Sequence, residues 1–464
     1  MNDEPNNDTE NETQVQLHRG LGTFEVTVLG YGAMVGASIF ILAGVVTGIA
    51  GPAILIAIVL NYLVSLLTGY NYAEASSRSP EVGGGYLWVK EAMGPLPAYL
   101  AGWISWLGHS IACSFYILVI GKGLAWLFGF KNLGQTRFFG LPLSLSAVVR
   151  FLAILIAVIF LYINYRGITT TRRSEFIIIT IQIIILSILV IAAVLRIISH
   201  PENITPNVVP FLPHGQDSII IAMGVMFIAY EGYEICAQTG EEAKNPHETI
   251  PRAIFLSMTA LVLTYLLVIG TVILAVGAGD NSVLVKGGEH GLLDAAGILI
   301  PVVGFPLLTI AMLFGAAATL NATIYSSSRV SLALARDRSL PRKLLKIHSQ
   351  HRTPHYAIWM TGALIIFFAV FLPFQDIIAS ADILFLLLFT VVNYSVYKLR
   401  REHGDQAFPF RTPFFPLLPI LGLVTKAFLA IFLFIYSPTA WLVALIWITL
   451  GLVIYYSKNN TLYR

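Results

Sequence analysis

The chain repeatedly offers apolar runs long enough to cross about 30 Å of hydrocarbon, a distance that takes roughly 20 residues of α-helix. Twelve such runs can be read, at about 24–50, 52–76, 96–128, 144–165, 174–198, 217–237, 253–277, 301–331, 355–373, 377–397, 415–436 and 438–456. Lipid supplies no water to bond exposed peptide groups, so a segment of this length crosses it as a helix. With 56 % hydrophobic and only 11 % charged residues over 464 positions, a water-soluble globule could not cover so much apolar surface. The expected fold class is therefore all-α and polytopic, about 12 transmembrane helices, with the lipid bilayer as its first partner.

Charge placement orients the chain. With both termini in the cytoplasm, 21 of the 28 Lys and Arg residues fall on the inner side and six on the outer side or at outer helix ends, while Lys426 lies within the eleventh run. That bias is the positive-inside pattern, and it predicts a multi-pass cell-membrane protein with both termini cytoplasmic. A net charge of +3 gives no basis for nucleic-acid binding. Cys113 and Cys236, far apart and each inside an apolar run, suggest neither a disulfide framework nor a zinc site. No metal and no cofactor is expected. Residues 1–20 are polar and acidic and lack an apolar h-region, so they read as a disordered cytoplasmic tail and not as a signal peptide.

Two of the runs are interrupted. The first carries "GYGAMVGASIF", with Gly30, Gly32 and Gly36 where a spanning helix favours Leu or Ala. Five runs later, "MFIAYEGYEICAQ" places the polar, glycine-containing Tyr230–Glu231–Gly232 near the middle of the sixth. Five is odd, so a second five-helix copy lies upside down relative to the first. Matched interruptions in two inverted halves point to a transporter's central site. The organisation read on this basis is a first repeat over 21–200, an inverted second repeat over 213–400, two further helices over 410–457 and a cytoplasmic tail over 458–464. A packing role is the alternative, because Gly32-xxx-Gly36 also fits the small-residue contact face of membrane helices.

Breaking a helix frees N–H groups at the start of its second segment and C=O groups at the end of its first. These ends carry about +0.5 and −0.5 of an elementary charge. A carboxylate suits the N–H groups near Gly36, Ala37 and Ser38. An ammonium suits the carbonyls near Ala33 and Met34, and near Phe227 and Ala229. Glycine lets ligand and backbone approach closely. An α-amino acid is the simplest ligand that satisfies both ends.

At these residues the sequence resembles the amino acid–polyamine–organocation superfamily of permeases, whose fold is the LeuT-type inverted repeat of five plus five helices with two extra helices here. The resemblance covers about 20–425, through "GAMVGASIF" (32–40), "YAEASSRSPEVGGGYLWVKEAMG" (72–94), "FIAYEGYE" (227–234), "EEAKNPHETIPRAI" (241–254), "NATIYSSSRVSLALARDRSLP" (321–341) and "PFRTPFFPLLP" (409–419). It implies secondary transport of amino acids or related amines by alternating access, driven by protons or by a counter-transported amino acid. By the same resemblance, Gly36–Ala37–Ser38 matches the carboxylate-binding turn, and Ala33 and Met34 match the positions that receive the α-ammonium. Phe227, Ala229 and Tyr230 match the unwound sixth helix, whose aromatics close over the substrate. The third helix turns His109, Ser110 and Ser114 toward the cavity.

Several ionisable residues have more than one reading. Glu231, with Gly232 in the sixth-run break, could hold the α-ammonium, hold a cationic side chain, carry a proton, or stabilise the unwound turn, since an ionisable group at this depth is functional by default. Glu234 matches an acidic position linked in some relatives to pH response, or partners an Arg. His109 could titrate near neutral pH or be satisfied by a neighbouring hydroxyl. Glu74 reads as an ion-pair tie at the cytoplasmic gate. Asp382, early in the tenth run, is placed near the outer surface. Gln182 falls where a proton-coupled branch of the superfamily carries a lysine; it can bond first-helix carbonyls but has no proton to give. Coupling through Glu231 or another acid, exchange, and facilitated diffusion all remain open.

The main reading is an amino acid transporter, with a polyamine or small-amine transporter of the same fold as the alternative. An enzyme is not expected: no HExxH, no Cys/His cluster and no carboxylates beside a nucleophile are found.

Overall fold

The computed structural model describes residues 20–80, 85–130, 137–138, 141–142, 144–167, 172–240, 242–351 and 353–462. The acidic segment 1–19, residues 81–84 of the Gly-rich motif and the last two positions lie outside the described residues.

Helices account for almost all of it. The first half of the chain contains α1 (Thr23–Val35), α2 (Ser38–Ala50), α3 (Ile54–Arg78), α4 (Gly85–Met93), α5 (Pro95–Leu127), α6 (Leu145–Tyr165) and α7 (Arg172–Ser199). After a short α8 (Ile204–Val208) come α9 (Asp217–Val225), a 3-10 turn over Phe227–Tyr230, α10 (Tyr233–Gln238) and α11 (Pro246–Val276). The remainder holds α12 (Val283–Gly287), α13 (Gly291–Leu299), α14 (Gly304–Arg336), α15 (His355–Phe371), α16 (Phe374–His403), α17 (Leu417–Tyr436) and α18 (Pro438–Leu462). A two-residue hairpin, Arg137–Phe138 with Leu141–Pro142, is the sole sheet among the described residues.

Local sequence sets several of these boundaries. Pro95 and Pro246 open α5 and α11 at the position where a missing N–H costs nothing. Gly277, at φ 87°, closes α11 in a conformation glycine adopts without steric cost. Pro251 lies inside α11, only one turn beyond its start, where few backbone bonds are lost.

Among the described residues, nine helices are long and apolar enough to span a membrane, or ten if the bent pair α9 and Phe227–Gln238 counts as one. The sequence reading of twelve differs at three places. The run 24–50 is cut at Gly36–Ala37 into two helices of 13 residues each. The second of these continues through Gly51–Ala53 into α3 as a single apolar stretch, Ser38–Arg78. In the run 355–373 the helix α15 has 17 residues, short of a full crossing.

The core is assembled around α5, which is buried along most of its length and packs on α14, α16, α6 and α15. α17 lies on α16 and α3, and α18 lies on α16 and α5. The α18 contact is fixed by a reciprocal pair: the Trp103 and Trp447 rings stack at 4.2 Å, and each indole N–H donates to the other's carbonyl at 2.8 Å. α1 packs on α11, α10 and α14. The residues just before α1 are bonded to those just after α10, with Lys244 N–H donating to the Leu21 carbonyl at 2.7 Å. The two interrupted helices therefore run antiparallel and are tied together at one end.

Candidate functional site

The first break follows from Gly36. Its φ of 37° and ψ of −121° end α1 in a backbone conformation that side chains rarely adopt. A Cβ there would meet Thr319 Oγ1 at 2.7 Å, so the close approach of α14 also requires glycine. α2 then begins at Ala37 with no side-chain cap. The first N–H groups of a helix have no intrahelical acceptor, and here no side chain supplies one. The Ser38 hydroxyl beside them is buried and without a hydrogen-bond partner.

The second break spans Met226 to Gly232. α9 gives way to a 3-10 turn at Phe227–Tyr230, Glu231 is extended, and Gly232 sits at φ 125° as the cap of α10. The axis bends by 57° across it. Glu234 Oε2 accepts the Gly232 N–H at 2.8 Å, closing the start of α10. Tyr230 OH donates to the Ile58 carbonyl at 2.6 Å, pinning the turn to α3.

The two breaks touch. A Cβ on Gly232 would lie 2.9 Å from both the Ala33 carbonyl carbon and the Met34 nitrogen. Ala33, Met34, Gly36, Ala37, Ser38, Phe227, Ala229, Tyr230, Glu231 and Gly232 are all buried, so the structure has this region closed to solvent. Gln182 of α7 is buried and donates from Nε2 to the Gly36 carbonyl at 2.8 Å. It thus satisfies one of the carbonyls that the first break frees.

The other sequence-derived residues are placed more variously. Ser110 Oγ donates to the Trp106 carbonyl at 2.7 Å and lies 3.2 Å from Ser327 Oγ on α14. Ser114 Oγ donates to the Ile365 carbonyl of α15 at 2.9 Å. Both hydroxyls therefore serve helix contacts on the α14 and α15 side of α5. His109 Nδ1 is 2.7 Å from the Ser105 carbonyl, its ring lies 4.9 Å from that of Phe385, and its Nε2 is unpartnered. Glu74 is fully buried in an ion pair with Arg400 at 3.2 Å and accepts the Thr412 N–H at 2.8 Å. Arg400 in turn donates to the Thr412 carbonyl and to Asp405. Asp405, outside the apolar helices, has its carboxyl held below the ordinary aspartate range by the Arg400 guanidinium.

One placement is a correction. Asp382 is not near the surface: it is fully buried on α16, with neither carboxyl oxygen hydrogen-bonded. It lies by the Ile228 backbone in the second break, because α16 packs against the 3-10 turn along its first half. Sequence reasoning also left Lys426 without a role. It is fully buried on α17, its ammonium 4.0 Å from the centre of the Phe227 ring. The signal was present, since a charge inside an apolar run faces the protein interior far more often than lipid.

Among the described residues no group of three or more His, Cys, Asp or Glu side chains is arranged to hold a metal. Nine or ten helices long and apolar enough to cross a membrane, with two interrupted ones meeting in the buried interior, make this an all-α polytopic membrane protein. The chain belongs to the amino acid permease family, whose model matches residues 21–456. It is thus a permease, a secondary transporter of small solutes. It is similar to the branched-chain amino acid permease of Bacillus subtilis, 27 % identical over 96 % of this chain and 94 % of the relative. It is also similar to the methylthioribose transporter of the same organism, 29 % identical over 96 % and 95 %. Cationic amino acid transporter 4 of Mus musculus is 28 % identical over 85 % of this chain and 62 % of its own length.

Proposed function

We propose that this permease carries amino acids across the cell membrane by alternating access, with the solute held between the two helix breaks. The architecture that goes with this reading is twelve spans with both termini cytoplasmic. Five of them are repeated upside down in the LeuT-type manner, and α17 and α18 are added. The solute carboxylate takes the uncapped N–H groups of Ala37 and Ser38 and the Ser38 hydroxyl, at the turn made by Gly36, whose own N–H is bonded to the Gly32 carbonyl at 3.1 Å. Its α-ammonium takes the carbonyls of Ala33 and Met34 and of Phe227 and Ala229. Tyr230 and Phe227 close over the side chain, and Gly232 lets the two backbones approach. His109, Ser110 and Ser114 line the α5 side once the region opens, and the Glu74–Arg400 pair is a gate tie that breaks in one half of the cycle.

The observation that carries this reading is the contact of the two breaks, Gly232 against the Ala33–Met34 peptide, next to an uncapped helix start with an orphaned serine hydroxyl. Opposite partial charges held a few ångströms apart match a zwitterion. Support for the solute class comes from the branched-chain amino acid permease and the cationic amino acid transporter among the relatives.

A second reading, a polyamine or other small-amine carrier, is favoured by one observation. Glu231 is buried in the break with Oε1 unpartnered, as a site for a second cationic group would require. Counterflow in proteoliposomes separates the two. Vesicles loaded with unlabelled amino acids, polyamines and methylthioribose are offered one labelled compound at a time at fixed pH. Accumulation of an amino acid label is the expected result. Polyamine label alone supports the second reading, and methylthioribose label alone overturns both.

A further inference from the structure

Three ionisable side chains lie around the second break with fewer partners than their chemistry demands. Asp382 of α16 is 0 % exposed and bonds through neither oxygen. Glu231 is 6 % exposed with Oε1 unpartnered. Lys426 of α17 is 0 % exposed, and its Nζ has no hydrogen-bond acceptor. Glu231 is within electrostatic reach of both Asp382 and Lys426. Their elements come together because α17 and α16 both pack along the broken sixth helix. The Lys426 ammonium lies over the face of Phe227 at 4.0 Å and 5.9 Å from the Phe389 ring centre. A desolvated cation is held well by such ring faces.

The charges do not balance. Two carboxylates and one ammonium leave a net negative charge where no water reaches, and an uncompensated buried ion is strongly disfavoured. Two carboxyls in mutual reach do not both ionise; they titrate as a pair. The other titratable groups facing the set do not supply a cation. Glu234 of α10 is committed to the Gly232 N–H. Tyr116 of α5, Tyr233 of α10 and Tyr436 of α17 are weakly acidic phenols facing it. His109 is turned to the Ser105 carbonyl, with its ring on Phe385. One proton is what the cluster lacks.

We infer that Glu231, Asp382 and Lys426 form an exchangeable proton site, in which one proton is shared by the two carboxyls beside the Lys426 ammonium and its release couples to solute movement. This rests on the transport reading above and deepens it: Gln182 has no proton to give, and this cluster does. The step is an acid dissociation. When the interior opens to water on one side, a carboxyl O–H bond breaks and the proton passes to water. On the other side, a hydronium ion returns the proton to the carboxylate. α17 thereby belongs to the working centre, although it stands outside the two five-helix halves.

The test uses the intact protein in proteoliposomes with a pH-reporting dye inside and no imposed gradient, adding the solute that counterflow has identified. Wild type is expected to move protons when solute is added. Asp382→Asn is expected to lose that proton movement while counterflow persists, because counterflow needs no coupling. A second readout does not depend on transport. Infrared spectra of the purified protein should show the carbonyl stretch of a buried protonated carboxyl group, lost in Asp382→Asn and in Glu231→Gln. Wild-type counterflow with no proton movement and no such band overturns the inference and leaves the transport reading standing. Loss of counterflow and proton movement together in a monodisperse Asp382→Asn protein also overturns it, since Asp382 is then structural. If wild type shows no counterflow for any compound, the transport reading fails and the inference fails with it.

Discussion

Two glycines shape the breaks. Gly36 is held at φ 37° with Thr319 2.7 Å from where a Cβ would sit, and Gly232 at φ 125° with the Ala33–Met34 peptide 2.9 Å away. Gly36→Val should abolish counterflow while the protein still inserts and purifies, because the added branch both strains the backbone and fills the carboxylate turn. Glu231→Gln should weaken uptake of cationic solutes more than of neutral ones if the carboxylate meets the solute side chain. An equal loss for both would assign it to the α-ammonium or to the proton instead. Both glycines were legible because they are weak helix formers in runs that otherwise favour helix. Gln182 was legible as a partner of first-helix carbonyls, and it bonds Gly36. Asp382 and Lys426 were not legible in full, since a single charge in an apolar run gives neither its depth nor its neighbours. Those depend on how α16 and α17 rotate onto the 3-10 turn, which is a matter of tertiary packing.

At the scale of helices, the existence of most elements was written in apolar length, and the departures occur where the backbone is broken or short. The run 24–50 became two helices because Gly36 leaves the helical region, and α15 ends at Phe371 before Leu372 and Pro373. The sequence points to an ion pair at Glu74 but not to its partner: Arg400 on α16 comes from 326 residues away and cannot be read from spacing. Arg400→Met leaves the Glu74 carboxylate buried without its counter-ion, so stability should fall by about 3–5 kcal/mol, read as a lower unfolding temperature in detergent. Replacing both, Glu74→Gln with Arg400→Met, should recover part of that loss, because the uncompensated charge is gone. The Trp103–Trp447 pair makes a second prediction at this scale. Trp447→Ala removes the stack and leaves the Trp103 indole N–H facing an altered α18, which should cost about 3 kcal/mol, measured in the same way. The two further helices, after α16, are joined to the rest of the protein. α18 is clamped to α5 by this pair, and α17 delivers a cation to the interior.

For the whole molecule, two antiparallel interrupted helices are tied at one end and cross at their breaks. Everything at the crossing is buried, so solute can enter only when the packing around it opens. On the proposed reading, solute is held through backbone charge that glycine exposes, while side chains such as Glu231 adjust which solute is accepted. On the proposed reading, both breaks together make the solute site. Equilibrium binding of the labelled solute found by counterflow tests it most directly, in wild type, Gly36→Val and Gly232→Ala purified to the same monodisperse profile. Wild type should bind saturably, and each glycine variant should lose binding. Wild-type affinity in either folded variant would contradict it.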